Sequence, residues 1–358
     1  MQQTGLAVLG FTNQTIRQIV HPHITGSQLR IRLTNKYGTT PLTLGEVHVA
    51  YAGQGASIIP DSDRIVNFSG NTSVTIPVGT DVVSDPISLD VVEGKNLAIS
   101  IYVPYSSGPT TFHHLSKQTV YISTFGNKAG EGTGTSFVPA QIESWYWLTD
   151  VDVIAPHNTK GTIVCFGDSI TDGEKSTRNA NHRYPDLLAN RLHDAGIAKS
   201  VLNAGIAGNQ ILSDGSSVSA LARFDQDVLI QPGVTDVILL EGINDIGFSN
   251  KNAEDIALGM KQLITRAHNR GLRIYGGTLL PFQGASNYTE EKEQTREKVN
   301  DWIRTSGAFD GVIDFEKALQ DPENPEKLMP SYNSGDNLHP NDAGYQVMAD
   351  TINLSLLR

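Results

Sequence analysis

Four short stretches of the sequence carry side chains that acyl-transfer chemistry needs, and two of them supply a nucleophile with its base. Ser169 follows an apolar run, residues 162–166, within the tetrapeptide GDSI. A serine hydroxyl attacks an ester efficiently when a base takes its proton and an acid orients that base. His339 and Asp336 supply a base and an acid three residues apart in the tetrapeptide DNLH. These residue types therefore predict a Ser–His–Asp site.

The other two stretches offer hydrogen-bond donors for the negative charge that develops on an ester oxygen during attack. One is NAGIAGN, which contains Gly205, and the other is EGIND, which contains Asn244. A glycine has no side chain, so the backbone N–H of Gly205 can approach a ligand closely. Asn244 offers the N–H groups of its side-chain amide.

Each of these residues also has a purely structural interpretation. A serine after a strand can cap a helix, and Gly205 can simply end a strand. Asn244 can belong to a turn, Asp336 can cap the last helix, and His339 can be a surface histidine. The functional interpretation is favoured because all the parts of one reaction occur together, each at the end of a predicted strand or in a loop.

The elements that position these residues follow residue 160, where predicted strands alternate with predicted helices. This alternation predicts βαβ units and a parallel sheet. The strands are expected near 162–166, 200–203, 236–240, 273–280 and 311–315, and the helices near 184–195, 220–229, 253–269, 289–305 and from Pro340 onward. The carboxyl ends of parallel strands meet at one sheet edge, where ligands bind. The four stretches are therefore expected to meet there.

Residues 1–157 are predicted to form a separate all-β domain, a sandwich of jelly-roll type, ahead of an α/β domain at 158–358. The first half alternates apolar and polar residues in short segments separated by Gly, Pro and Asn, with no helical pattern. The segment 144–148 is expected to be a strand with Trp145 and Trp147 on one core face, an interpretation favoured over sugar stacking.

Composition excludes several other classes of function. The 358 residues carry a net charge of −11, from 27 Lys+Arg and 38 Asp+Glu, which argues against nucleic acid or an anionic membrane as the main partner. No apolar run is long enough to span a bilayer, and the single Cys165 allows no disulfide within the chain. We predict no cofactor and no metal site. Residues 1–6 lack the basic and long apolar segments of a signal peptide, so both a cytoplasmic protein and a secreted protein whose signal is absent from this sequence stay open. The oligomeric state also stays open.

At the four stretches the sequence resembles the SGNH hydrolases, also called GDSL-type esterases. GDSI matches the block that holds the family's nucleophile, and Gly205, Gly242-x-Asn244-Asp245 and Asp336-x-x-His339 match the other three. The resemblance covers residues 160–358 and implies a flavodoxin-like three-layer fold. It also implies ester hydrolysis through an acyl-serine, with the N–H groups of Ser169 and Gly205 and the Asn244 amide forming the oxyanion hole.

The stretch 167–173, together with RYPD at 183–186, resembles a bacterial branch of the family. Members of that branch often carry a β-domain ahead of the hydrolase and are commonly linked to carbohydrate esters. We therefore predict a serine esterase for short-chain O-acyl esters, with an acetyl group on a saccharide as the most specific expectation. A general carboxylesterase or lipase, or an acyltransferase with the same triad, is the alternative. From another class, a carbohydrate-binding protein with a vestigial hydrolase domain stays open.

Overall fold

The fold is described from a computed structural model of residues 3–140 and 142–358. The chain divides into two compact units, one of which ends at Asn158 while the other comprises Thr159–Arg358. The first unit consists mostly of strands, and the second alternates strands with helices. Across the described residues, no helix is both long and apolar enough to cross a membrane.

The first unit is built from antiparallel strands, as its period-2 pattern predicts. They are β1 (Gln14–Val20), β2 (Leu29–Thr34), β3 (Leu42–Leu44), β4 (Glu46–Tyr51), β5 (Arg64–Val66), β6 (Val74–Ile76), β7 (Asp81–Val83), β8 (Leu97–Val103), β9 (Phe112–His113), β10 (Tyr121–Ser123), β11 (Phe137–Pro139), β12 (Trp145–Tyr146) and β13 (Leu148–Val153). A six-stranded sheet has the order β11-β10-β1-β8-β4-β5, and a three-stranded sheet has the order β13-β2-β7. The prediction of an antiparallel β-domain is confirmed.

Two details of this unit differ from the sequence prediction. A single helical turn, α1 (Leu6–Leu9), occurs where no helix was expected, because four residues are too few to show a helical period. Trp147 has a φ of 58° and separates β12 from β13. The positive φ breaks the alternation, so Tyr146 and Trp147 are both buried while Trp145 is partly exposed. The expectation of one strand with Trp145 and Trp147 on the same face is therefore wrong.

His48 in β4 lies between two carboxylates. Its Nδ1 is 2.7 Å from Asp63 Oδ2, and its Nε2 is 2.8 Å from Glu46 Oε1. Ionised carboxylates only accept hydrogen bonds, so this arrangement favours a proton on both ring nitrogens. Burial lowers the pKa of His48, but the hydrogen bonds and charges of Asp63 and Glu46 outweigh it and raise the pKa above 6.5.

This arrangement predicts that the contribution of His48 to stability falls as the pH rises. A group whose pKa is raised on folding stabilises the protein fully below its unfolded pKa and loses that effect as pH passes the folded pKa. The loss therefore begins above about pH 6.5. Melting curves of wild type and H48Q should differ more at about pH 6 than at about pH 9. An equal difference at both pH values would contradict the prediction.

The second unit contains one parallel sheet of five strands. They are β14 (Thr162–Gly167), β15 (Ser200–Gly205), β16 (Val234–Leu240), β17 (Arg273–Gly277) and β18 (Gly311–Ile313), in the order β15-β14-β16-β17-β18. The three central strands are nearly continuous apolar runs, because helices cover both faces of a parallel sheet. The predicted parallel α/β fold is confirmed.

Eight α-helices of the second unit connect or flank these strands. They are α2 (Ser169–Asp172), α3 (Tyr184–Asp194), α4 (Ala220–Phe224), α5 (Ile243–Gly247), α6 (Ala253–His268), α7 (Glu290–Thr305), α8 (Phe315–Leu319) and α9 (Asp342–Thr351). They pack in two groups: α9 contacts α3 and α8, whereas α6 contacts α4 and α7. A π-helical turn, Asp225–Leu229, follows α4, and a 3-10 turn, Leu354–Leu357, follows α9.

Some predicted boundaries in this unit are wrong. The fourth strand ends at Gly277 and the fifth at Ile313, earlier than their apolar runs suggest, because buried apolar residues continue into the following loops. The last helix begins at Asp342 and not at Pro340. Asn341 is its N-cap, and its Oδ1 accepts a hydrogen bond from the backbone N–H of Gly344 at 3.0 Å.

The strand order makes the carboxyl end of β14 a topological switch point. The chain passes from β14 to β15 on one side and then to β16 on the other side of β14. The loops that follow these strands therefore diverge, and ligands of open α/β sheets bind at such a switch point. The residues that follow β14, β15 and β16 are those that the sequence singled out.

Candidate active site

Ser169 lies in the sharp turn from β14 into α2. Asp168 is the N-cap of α2, and its carboxylate accepts a hydrogen bond from the N–H of Ile170 at 2.9 Å. Ser169 is the first residue of the helix, so its own N–H is one of those without a partner inside the helix. A Cβ on Gly167 would lie 2.3 Å from the carbonyl oxygen of Leu240, so this turn requires glycine.

The structure brings the predicted serine, histidine and aspartate into one chain of hydrogen bonds. Ser169 Oγ is 2.8 Å from His339 Nε2, although the two residues are 170 positions apart in the sequence. His339 Nδ1 is 2.8 Å from Asp336 Oδ2. In this alignment the imidazole can accept the serine proton at Nε2 while Asp336 holds its other nitrogen.

Backbone groups fix the carboxylate of Asp336. Its Oδ1 accepts hydrogen bonds from the N–H groups of Leu338 at 3.0 Å and His339 at 2.9 Å, which leaves Oδ2 facing the imidazole. Burial raises the pKa of Asp336, but the bonds from His339 and Leu338 outweigh it and lower the pKa to about 2. Asp336 is therefore ionised at neutral pH. It does not cap the last helix, since Asn341 does.

Gly205 differs from its predicted role. Its N–H donates a hydrogen bond to Asn203 Oδ1 at 2.9 Å. A Cβ on Gly205 would lie 2.1 Å from the backbone nitrogen of Asp172, so glycine is required for the close packing of α2 on β15. The structure thus corrects the expectation that this N–H is free for a substrate.

Another glycine of the same loop, Gly208, has an N–H with no acceptor among the described residues. Its neighbours donate theirs: Ile206 to Gly167 O, Ala207 to Asp172 Oδ2 and Asn209 to Ile206 O. Gly208 has a φ of 75°, a conformation that glycine adopts without strain. Sequence reasoning missed this residue, although the second glycine of NAGIAGN was visible.

Asn244 lies in the short helix α5 immediately after β16, and its side chain is buried. Its Nδ2 donates one hydrogen bond to the backbone oxygen of Asn209 at 2.9 Å. A primary amide has two N–H groups, so a second one can still donate. The bond places the amide beside the loop that contains Gly208. Asn244 does not cap α5, because the N-cap of this helix is Gly242.

No group of three or more His, Cys, Asp or Glu side chains in the described part of the chain is placed to hold a metal ion. The hydroxyl after β14 and the amide after β16, together with the imidazole and carboxylate of the loop before α9, are nevertheless the set that serine-dependent acyl transfer uses.

Comparison with known families agrees with this geometry. A family model described as the GDSL-like lipase/acylhydrolase family matches residues 165–347. The chain belongs to this family and is a serine ester hydrolase. The resemblance that the four stretches indicated is confirmed. A search among curated proteins gave no match.

Several solved structures are similar to the chain over about half its length. The aryl esterase of M. Smegmatis is 18% identical, covering 53% of this chain and 95% of that one, with a TM-score of 0.44. A lipase/acylhydrolase from Enterococcus faecalis is 20% identical, covering 53% and 92%, with a TM-score of 0.44. A variant of an acetyl-xylooligosaccharide esterase from Geobacillus Stearmophilus is 20% identical, covering 54% and 92%, with a TM-score of 0.43.

Proposed function

We propose that the protein hydrolyses short-chain O-acyl esters, chiefly acetyl esters of saccharides, through an acyl-serine intermediate. The observation that carries this proposal is the unbroken hydrogen-bond chain from Ser169 Oγ through His339 to Asp336. Each of the three side chains meets the next at 2.8 Å, with the imidazole between nucleophile and acid. This is the geometry in which a histidine can move a proton away from a serine.

In the first half of the reaction, Ser169 Oγ attacks the ester carbonyl carbon while His339 Nε2 takes the serine proton. The tetrahedral intermediate collapses when the C–O bond to the alcohol breaks and His339 returns the proton to the leaving oxygen. In the second half, water attacks the acyl-serine, His339 takes the water proton, and that proton passes to Ser169 Oγ as the acid leaves. Asp336 stabilises the imidazolium that forms in both halves.

The negative charge on the carbonyl oxygen requires donors beside Ser169. We assign them to the N–H of Ser169, the N–H of Gly208 and the side-chain amide of Asn244. Three observations support this set. Ser169 is the first residue of α2, and the N–H of Gly208 has no acceptor among the described residues. The amide of Asn244 is held beside the loop that contains Gly208 by its bond to Asn209 O. Donors held in place before the reaction lose no energy in reorganisation when the charge develops.

The apolar side chains next to the site favour a short acyl group. Ile243 and Leu338, the neighbours of Asn244 and His339, pack in one cluster with Phe282, Ala285 and Tyr288. Phe282 is 0% exposed, and Ile243 and Ala285 are also buried. Only Tyr288 and Leu338 of this cluster are partly exposed, so we propose that they give the acyl group a small apolar contact. Rates should therefore fall by at least about tenfold from acetyl to octanoyl esters of one alcohol.

An exposed aromatic ring near the site favours a ring-shaped alcohol. Phe248 is 63% exposed and lies four residues after Asn244, with its backbone N–H donating to Asn244 O at 2.9 Å. Phe248 is the C-cap of α5, so its exposed ring lies at the end of the short helix that holds Asn244. A flat aromatic face suits contact with a sugar ring.

Replacing Phe248 with alanine should therefore raise KM for acetylated oligosaccharides about tenfold and leave kcat nearly unchanged. Removal of a contact made equally in the ground and transition states changes KM alone. Hydrolysis of vinyl acetate, which has no ring, should change by less than about twofold. Leu258→Ala is the matched control, because Leu258 is also an exposed apolar residue but lies in α6. Equal losses on both substrates would contradict a ring contact.

The proposed function is tested by acetate release from a panel of acetylated oligosaccharides beside aryl acetates. Release of acetate from the saccharides supports the proposal. Turnover of aryl esters alone would identify a general carboxylesterase. Transfer of acetyl to an added alcohol in preference to water would identify an acyltransferase, and saccharide binding without turnover of any ester would identify a binding protein.

A further inference from the structure

One buried arginine contacts all three strand ends that carry the site. Arg223 lies in α4, is 3% exposed, and its guanidinium is 3.9 Å from the centre of the Phe166 ring in β14. Its Nη2 donates to the carbonyl oxygen of Gly167, and its Nη1 to that of Ala204, both at 2.8 Å. Nη2 also lies 3.8 Å from Glu241 Oε2, immediately after β16. Arg223 thus joins the carboxyl ends of β14, β15 and β16.

A further bond of Arg223 leads to the oxyanion donors. Its Nε donates to Asn209 Oδ1 at 2.8 Å. Asn209 in turn accepts, at its backbone oxygen, the hydrogen bond from Asn244 Nδ2 at 2.9 Å. Asn209 also follows Gly208 directly in the sequence. The path from Arg223 through Asn209 therefore ends at two of the three groups that we assign to the oxyanion hole.

The surroundings of Arg223 are rich in buried carboxyl groups. Asp168 and Glu241 are both buried, and neither carboxyl oxygen of Glu241 has a hydrogen-bond partner among the described residues. Burial raises the pKa of Asp168 to about 7 and raises that of Glu241 well above its usual range, while the charge of Arg223 lowers both. Removal of the positive charge of Arg223 would leave Asp168 and Glu241 without the cation that lowers their pKa values.

We propose that Arg223 is a positioning residue for ester hydrolysis, holding the loop after β15 through Asn209 so that the Gly208 N–H and the Asn244 amide point at the developing oxyanion. This inference rests on the proposed function of Ser169 and Asn244. A guanidinium is a rigid planar fork with five N–H donors, whereas an ammonium is a point charge with three. Lysine at position 223 keeps the charge but cannot reach Gly167, Ala204 and Asn209 together.

The test uses R223K and N209A in the full chain, assayed with an aryl acetate and by thermal melting. Both variants should lower kcat by about 10- to 100-fold with KM within about threefold of wild type, since a misaimed donor weakens transition-state binding alone. R296K is the matched control: Arg296 is equally buried, in α7, and donates to Leu279 O at 2.9 Å and Glu293 Oε2 at 3.0 Å. It should lower melting but keep kcat within about twofold.

A double-mutant cycle separates positioning from general support of the fold. Because Arg223 is proposed to act through both Asn244 and Gly208, R223K or N209A should reduce kcat by a clearly smaller factor in an N244A background, where one of these two donors is already lost, than in wild type. Unchanged kcat in the single variants, or losses that multiply with that of N244A, would overturn the proposal. If R223K does not fold, N209A tests the proposal by itself, both as a single variant and combined with N244A, because it keeps the arginine. Failure of the proposed function is a different result: wild type and S169A would then show the same turnover.

Discussion

Ser169→Ala is expected to lower kcat by about 10⁶-fold, the loss typical of serine hydrolases that lack their nucleophile. The variant should fold normally, because Ser169 is small and alanine is tolerated in the first turn of a helix. His339 would still be held by Asp336, but no hydroxyl would be available to attack the ester. The measurement is the initial rate with an aryl acetate, together with mass spectrometry of a serine-directed phosphonate adduct in wild type.

Ser200→Ala is the matched control for this prediction. Ser200 is also buried in the hydrolase unit, but it begins β15 and so lies at the opposite edge of the sheet. Its replacement should leave kcat within about twofold. A phosphonate adduct on any residue other than Ser169, or turnover by S169A equal to that of S200A, would refute the assignment of the nucleophile.

Asn244→Ala is expected to lower kcat by about 10²–10³-fold, or roughly 2.7–4 kcal/mol of transition-state stabilisation, the usual cost of removing one oxyanion donor. KM should change little, because the charge that the amide meets exists only in the transition state. The variant also loses the bond to Asn209 O, so some loss of melting temperature accompanies the kinetic effect. Kinetics and melting must therefore be measured on the same preparation.

Asn300→Ala separates the kinetic effect from the structural one. Asn300 is a buried asparagine in α7, and its side chain bonds both the N–H and the carbonyl oxygen of Leu279, at 2.7 Å and 2.9 Å. Its replacement should lower melting at least as much as N244A does, and keep kcat of the folded enzyme. If N244A behaves like N300A, Asn244 is a structural residue and the donor assignment is wrong.

The sequence was sufficient for the parts of the fold and site that follow simple periodic or local rules. The strands of the parallel sheet could be located from short apolar runs, and the GDSI, NAGIAGN and EGIND stretches lie at strand ends that the βαβ pattern brings to one edge. Asp336 and His339 are three residues apart, so local geometry limits how they can meet. The family resemblance depended on the same residues and is now confirmed.

Other parts depended on contacts that no local pattern contains. Gly205 and Gly208 occupy similar sequence contexts, and only the position of Asn203 Oδ1 shows which N–H is already used. The positive φ of Trp147 has no basis in the propensities of tryptophan. Arg223 lies in an ordinary helical segment, and its importance arises from strand ends that are distant in sequence. Tertiary contacts of this kind require the folded chain.

The separation of 170 residues between Ser169 and His339 determines when the active site can form during translation. The serine is synthesised first and stays chemically inert while the rest of the unit is translated. The last helix and the residue after it bond to earlier parts of the unit: Tyr345 OH donates to Glu174 O at 2.7 Å, and Arg191 Nη1 donates to Ile352 O at 3.0 Å. Nascent chains, which fold from the N-terminal end, thus acquire a working nucleophile only as their last helix docks. Esterase activity is therefore a direct report that synthesis and folding of this unit are complete.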